Sequence, residues 1–255
     1  MGKQYANPPL EEVLVEFRFG RSSPWDPVLP EMMYQKMGPA EFPTRKIVVA
    51  PLSSHFDLGP AQLKHTSEFG ERVSFHAKDS RLIVHLASDL LAVQKLRPYE
   101  SWESYVPIVH QAYDVYVGVG HPSALLGLRL LYIDKLQLPC GLPGLPAYLN
   151  LAPFAGAGLA DREKFDTFIT GIQAPHEDGR DSLRIELVTA APAGPSSLHL
   201  ILRTCYSLER PNDLALDAKV VQHWLDVAHT HVNSAFEACI TDKLRSLFNI
   251  EEPNV

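Results

Sequence analysis

Proline placement limits this chain more than any other feature. Of 255 residues 21 are proline, and among the segments read below as regular structure only Pro107 falls inside one. Proline fixes φ and lacks an N–H, so it belongs at boundaries rather than within ladders or helices. The densest run, Pro24 to Pro60, predicts shaped loops with one short helix near 31–36 and one strand near 45–50. Elsewhere the prolines punctuate sizeable elements, which predicts one large α+β domain with a loop-rich N-terminal third. With 45% hydrophobic and 21% charged residues the chain can bury a substantial core.

Alternation supplies the strands. Val13, Val15, Phe17 and Phe19 alternate with Leu14, Glu16 and Arg18, the period of a half-buried strand. Residues 72–77 and 81–86 flank the polar turn Lys78-Asp79-Ser80 as a hairpin, and its second arm reads as continuing, long or bent, through 90–96. Further strands are predicted at 124–138, 165–173, 183–190 and 198–208.

Helical spacing appears twice. Ser101 is a good N-cap for a helix carrying Trp102, Tyr105, Val109, Ala112, Tyr113 and Tyr116, with a kink expected at Pro107 and an end at Gly118–Pro122. An apolar stripe including Val220, Val221, Trp224, Leu225, Ala228, Val232, Ala235 and Cys239 predicts a helix over 216–247, a rod of about 45 Å. A strand-hairpin-helix order thus occurs before residue 120 and again after 160. It suggests two similar units, with curved antiparallel sheet gripping two amphipathic helices. If the chain divides, the units are 1–138 and 159–255.

Many mechanisms are excluded. A net charge of -7 disfavours nucleic acid as a partner. No run of about 18 apolar residues could span a bilayer. Cys140, Cys205 and Cys239 are scattered in apolar surroundings, and the start resembles neither a signal peptide nor a myristoylation site, so a cytoplasmic protein is expected. No nucleophile elbow, P-loop, dinucleotide fingerprint or zinc-protease motif is present. His223, His229 and His231 point to different helix faces, so neither metal nor cofactor is expected.

The most informative charged pattern lies in the strands. Arg18, Arg129, Arg184 and Arg203 each sit mid-strand, and Glu16 and Glu186 share the alternating faces of Arg18 and Arg184. Such a band is either a solvated sheet face laced with ion pairs or a site for an acidic ligand, because guanidinium forks suit carboxylate and phosphate.

Three blocks carry a resemblance: Tyr5-Ala-Asn-Pro-Pro-Leu-Glu-Glu-Val13 running into Glu16-Phe-Arg-Phe19, Leu96-Arg-Pro-Tyr99-Glu-Ser-Trp102-Glu, and Leu128-Arg-Leu-Leu-Tyr132-Ile-Asp. In order and spacing they resemble an uncharacterised, sporadically distributed family of bacterial proteins with an Asn-Pro-Pro lead-in, a Pro-Tyr-x-x-Trp segment and a Leu-Arg strand. Here Leu130-Leu131 separates Arg129 from Tyr132, where that family has them adjacent. The resemblance implies no defined activity. Sporadic distribution is typical of accessory genes, including defence and toxin–antitoxin cargo.

Two functions are therefore expected as alternatives. One is a non-catalytic binding or regulatory protein that holds a protein partner, or a second copy, through the C-terminal helix. The other is a small acidic-ligand or enzymatic cavity between sheet and helices, with the four arginines as anion contacts.

Overall fold

The computed structural model describes residues 5–20, 25–58, 63–151, 167–190, 197–210 and 214–249. In chain order the elements are β1 (Leu10–Gly20), α1 (Leu29–Met37), β2 (Thr44–Leu58), β3 (Leu63–His76), β4 (Leu82–Ala87) and β5 (Leu90–Leu96). Then follow α2 (Trp102–Gly120), β6 (Ala124–Leu138), β7 (Ile169–His176), β8 (Asp181–Thr189), β9 (Leu198–Leu208), α3 (Ala218–Cys239) and α4 (Asp242–Phe248). Among the described residues nine strands form one antiparallel sheet in the order β2-β3-β4-β5-β1-β6-β9-β8-β7. The expected α+β architecture is present, and β6 and β7, on either side of the 139–158 break, belong to the same sheet.

The strand order is nearly symmetric about the β1–β6 pair. On one side lies the meander β3-β4-β5, followed in the chain by α2; on the other lies β7-β8-β9, followed by α3. Each half runs strand, meander, helix, with the first strand of the half paired to its last. The exception is β2, an additional edge strand. Proline does enter strands, but among the described residues only at the sheet's two edges. Pro51 lies in β2 beside a register shift, and Pro175 lies in β7, where a missing donor costs least.

One face of the sheet carries both long helices. On β1, Val13, Val15, Phe17 and Phe19 are buried, and Phe17 and Phe19 meet the rings of Tyr113 and Tyr116 on α2. On β9, Leu198, Leu200, Leu202 and Tyr206 are buried, and Tyr206 packs on Trp224 of α3. Each such side chain contributes roughly 1.5–3 kcal/mol. Of the aromatics on α2, Trp102, Tyr105, Tyr113 and Tyr116 are all core residues. The buried Tyr105 hydroxyl accepts from Val15 N (3.2 Å) and donates to the Val93 carbonyl (2.6 Å).

Two local expectations need correction. Residues 90–96 do not prolong the hairpin arm, because the chain reverses at Ser88-Asp89 and β5 pairs back on β4 from Ala87↔Leu90 onward. Helix α2 continues past Pro107, which is exposed on its outer side. The C-terminal rod is two helices. Ile240 is extended and bridges to Leu149, Thr241 caps α4 by accepting from Leu244 N, and the Asn150 side chain binds the Ala238 carbonyl. At about 1.5 Å per residue, the 22 residues of α3 span about 33 Å.

The apolar stripe of α3 is consumed within the chain. Val221, Trp224, Leu225, Ala228, Val232, Ala235 and Cys239 are all buried, and the outer positions Lys219, Gln222, His223, Asp226 and Thr230 are polar. Of its large hydrophobic residues only Val220 is substantially exposed. The stripe that suggested a partner is the helix's own packing surface. No helix among the described residues is long and apolar enough to cross a membrane.

Candidate functional site

Strand β6 directs Leu128, Leu130, Tyr132, Asp134, Leu136 and Leu138 to the helix side of the sheet, by strict alternation. Five of these are expected core residues and one is a carboxylate. Asp134 is 4% exposed, and among the described residues nothing donates a hydrogen bond to its side chain or pairs with it. It opens instead into a cavity of about 510 Å3. A buried carboxylate without donors is costly, so it marks either strain or a place kept for something else.

Besides β6, three stretches of chain wall the cavity. The lead-in Tyr5-Ala-Asn-Pro-Pro lies along β6, with Lys135 N bonded to the Pro9 carbonyl (2.9 Å) and Asn7 N bonded to the Phe248 carbonyl (2.8 Å). The segment Pro98-Tyr99-Glu100 leaves β5, tied to β1 by Arg97 N to the Glu11 carbonyl (2.9 Å). Helix α3 closes the third side with His229, Asn233, Phe236 and Glu237, at i, i+4, i+7 and i+8. The three sequence blocks singled out above thus meet at one place.

The wall is held rigidly. His229 stacks on Trp102, ring centroids 4.3 Å apart and planes 6° from parallel, while the Trp102 indole donates to Asp226 (3.1 Å). The Tyr132 hydroxyl lies 2.8 Å from His229 Nδ1, and the Asn233 amide nitrogen 3.0 Å from His229 Nε2. Tyr5 donates to Glu237 (2.6 Å), whose other oxygen accepts from Arg245 (2.9 Å), and the Tyr5 ring sits edge-on to Phe236 and Phe248.

Burial sets the charge state of the cavity. It pushes the Asp134 carboxyl up to about 8, because no donor offsets the loss of water. It also pushes His229 down to about 4, so that imidazole is neutral near pH 7. The Tyr5 hydroxyl is raised to about 12 by burial and by its bond to Glu237. Burial raises Tyr99 and Tyr132 further still. The lining therefore offers carboxylates, neutral hydroxyls and rings, with no lysine or arginine among its described residues.

The arginine band lies on the opposite face of the sheet, in two groups. Glu16 receives Arg129 (3.0 Å) and Arg18 (3.3 Å), and Arg18 also reaches Asp89 (3.4 Å). Gly127, directly across from Arg18, leaves room for that side chain, since a Cβ there would stand 3.3 Å from the Arg18 Cβ. Glu186 receives Arg184 and Arg203, each at 2.8 Å. Each glutamate is gripped by two guanidiniums, which makes two ion-paired clusters on the face without helices.

No protein-family model matches this sequence, and no curated protein matches it. The site rests on its own geometry. Sequence reasoning passed over Asp134, yet the signal was there: one carboxylate in a period-two row of leucines and a tyrosine.

Proposed function

We propose that this chain is a small-molecule-binding protein whose ligand occupies the cavity between β6, the N-terminal lead-in and α3. The observation that carries the reading is Asp134: a carboxylate buried at the cavity wall with no donor among the described residues. A purely structural carboxylate at such depth would have been paired or replaced by an apolar residue. A cavity of this volume, lined by aromatic and other apolar side chains with a few convergent polar groups, has the character of ligand sites. The reading favours a cavity over a helix-mediated partner, because the apolar face of α3 is spent on its own sheet.

A thermal-shift panel of soluble metabolites spanning cations, neutral compounds and anions tests it. At least one compound should raise the melting midpoint of the wild type and fail to do so for a cavity-filling Asn233→Trp variant. A panel without a hit, or hits that the filled variant keeps, would sink the reading.

A further inference from the structure

The lining chemistry selects among ligands. We infer that the cavity takes a small organic cation, an amine or guanidinium whose charged head sits on Asp134 and whose body lies against the tyrosine and phenylalanine rings. The inference rests on the ligand-binding reading and adds the charge and shape of the occupant.

Three observations carry it. First, the acceptor capacity is unfilled. Glu237 already holds Tyr5 and Arg245, and Glu100 pairs with Lys95 at the rim, but no described residue donates to Asp134. An ammonium or guanidinium brings several N–H donors, which the Asp134 carboxylate and the Tyr99 hydroxyl, itself without a hydrogen-bond partner among the described residues, can accept. Second, no lysine or arginine stands among the described lining residues, and His229 is bonded and neutral, so an anion finds no cation in the wall to pair with. Third, the rings of Tyr5, Tyr99, Tyr132 and Phe236 line the space, and aromatic rings attract cations and pack against an apolar body. A bare metal ion fits less well. Among the described residues no three His, Cys, Asp or Glu side chains are grouped to hold one, and hard divalent ions need more oxygen ligands than this wall supplies.

Binding of this kind moves a proton. Without a ligand, burial keeps much of Asp134 protonated near neutrality, and a cation seated against it favours the carboxylate. The other titratable groups around it are Tyr132 on its own strand, Tyr99 and Glu100 after β5, Tyr5 in the lead-in, and His229, Glu237 and Cys239 on α3. Arg245 of α4 stands behind Glu237. Among these, burial holds the tyrosines and Cys239 protonated and His229 neutral at pH 7, which leaves Asp134 as the group that releases the proton.

The test uses matched triplets of one shape and three charges, such as phenethylamine, 2-phenylethanol and phenylacetate, with agmatine and choline as further cations. Binding is read by calorimetry on the full chain at pH 7 in phosphate and in Tris. At least one cation should bind more tightly than its neutral and anionic counterparts. Its apparent enthalpy should depend on the buffer as proton release requires, and Asp134→Asn should weaken it about tenfold or more and abolish the buffer dependence. The assignment is overturned if neutral or anionic members bind as well, if Asp134→Asn binds the cations like wild type, or if no proton is released. If no probe of any charge binds the wild type, the ligand-binding reading itself falls, and the charge assignment with it.

Discussion

Two aspartates lie buried beneath α3 under opposite conditions. Asp181, at the start of β8, is wholly buried and accepts from Trp224 (3.0 Å), from Arg180 through two nitrogens (2.5 and 3.1 Å) and from Tyr206 (3.3 Å). Asp134, in mid-β6, is buried almost as completely and accepts from no described residue. Same residue type, same helix overhead, same face of the sheet: what differs is the number of donors. A carboxylate surrounded by donors is part of the scaffold, whereas one facing a cavity without donors is available for chemistry or binding. Both acids belong to the half of the sheet that ends in α3, which sharpens the contrast: one helix covers an acid in a completed network on β8 and another in an open one on β6.

The largest effect expected from this contrast is at Asp181. Asp181→Ala leaves the Arg180 guanidinium and the Trp224 indole without their buried acceptor, and breaking such a pair costs about 3–5 kcal/mol. For a chain of this size that is a loss of roughly 10 °C in melting midpoint, measurable by calorimetry. A loss below about 1 kcal/mol would mean that Asp181 is no scaffold residue, and the contrast would collapse.

Asp134→Asn should act in the reverse direction. The native carboxyl, pushed up to about 8, keeps its proton while the unfolded chain gives it up near 4, so wild-type stability falls as pH rises between those values. The amide removes that penalty. A four-unit rise corresponds to about 5 kcal/mol at most, and the amide must still be buried, so a gain on the order of 2 kcal/mol at pH 8 is expected. The gain should shrink towards nothing near pH 4. Urea titrations of both proteins across this range decide it, and a destabilised Asp134→Asn at pH 8 would show that the carboxylate has a donor after all.

His229 supplies the counterpart, with a smaller effect. Its native value, pushed down to about 4, lies below that of an unfolded histidine, so it contributes stability that is present above about 6.5 and lost as pH falls towards 4. Between those values the two groups oppose each other in the wild type. In His229→Gln the acid-side loss should disappear and a monotonic decline from pH 4 to 8 should emerge, as read from the same titrations. A profile parallel to that of the wild type would mean that His229 is not held neutral.

Much of the scaffold was legible in the residues. The alternation at 12–19 and 124–138 placed β1 and β6, and the Ser101 cap placed α2, because each depends on local pattern and local chemistry. The 240–241 break was not legible, since the apolar stripe runs on past it. The break is set by Leu149 and Asn150, some 90 residues away in sequence. The arginine band was legible as a face but not as two clusters, because pairing depends on the β1–β6 and β8–β9 registers. The cavity was least legible. Its walls come from four separated stretches of chain, and its defining residue stands out only once β6 is known to face α3.

The smallest expected effect asks how complete the Asp181 network is. The Tyr206 hydroxyl reaches Asp181 at 3.3 Å, the longest of its four donor contacts, and the ring is also held by Trp224 and by a stacked His231 at 5.1 Å. Tyr206→Phe keeps those ring contacts and removes one weak donor, while Arg180 and Trp224 continue to satisfy the carboxylate. The expected cost is about 0.5–1 kcal/mol, close to that of an ordinary hydrogen bond. Because the remaining donors share the load, a double variant with Trp224→Phe should lose more than the sum of the two single losses. Simple additivity would mean that the donors act independently. The difference between Asp181 and Asp134 would then be one of donor count alone, rather than of a cooperative network closed on β8 and left open on β6.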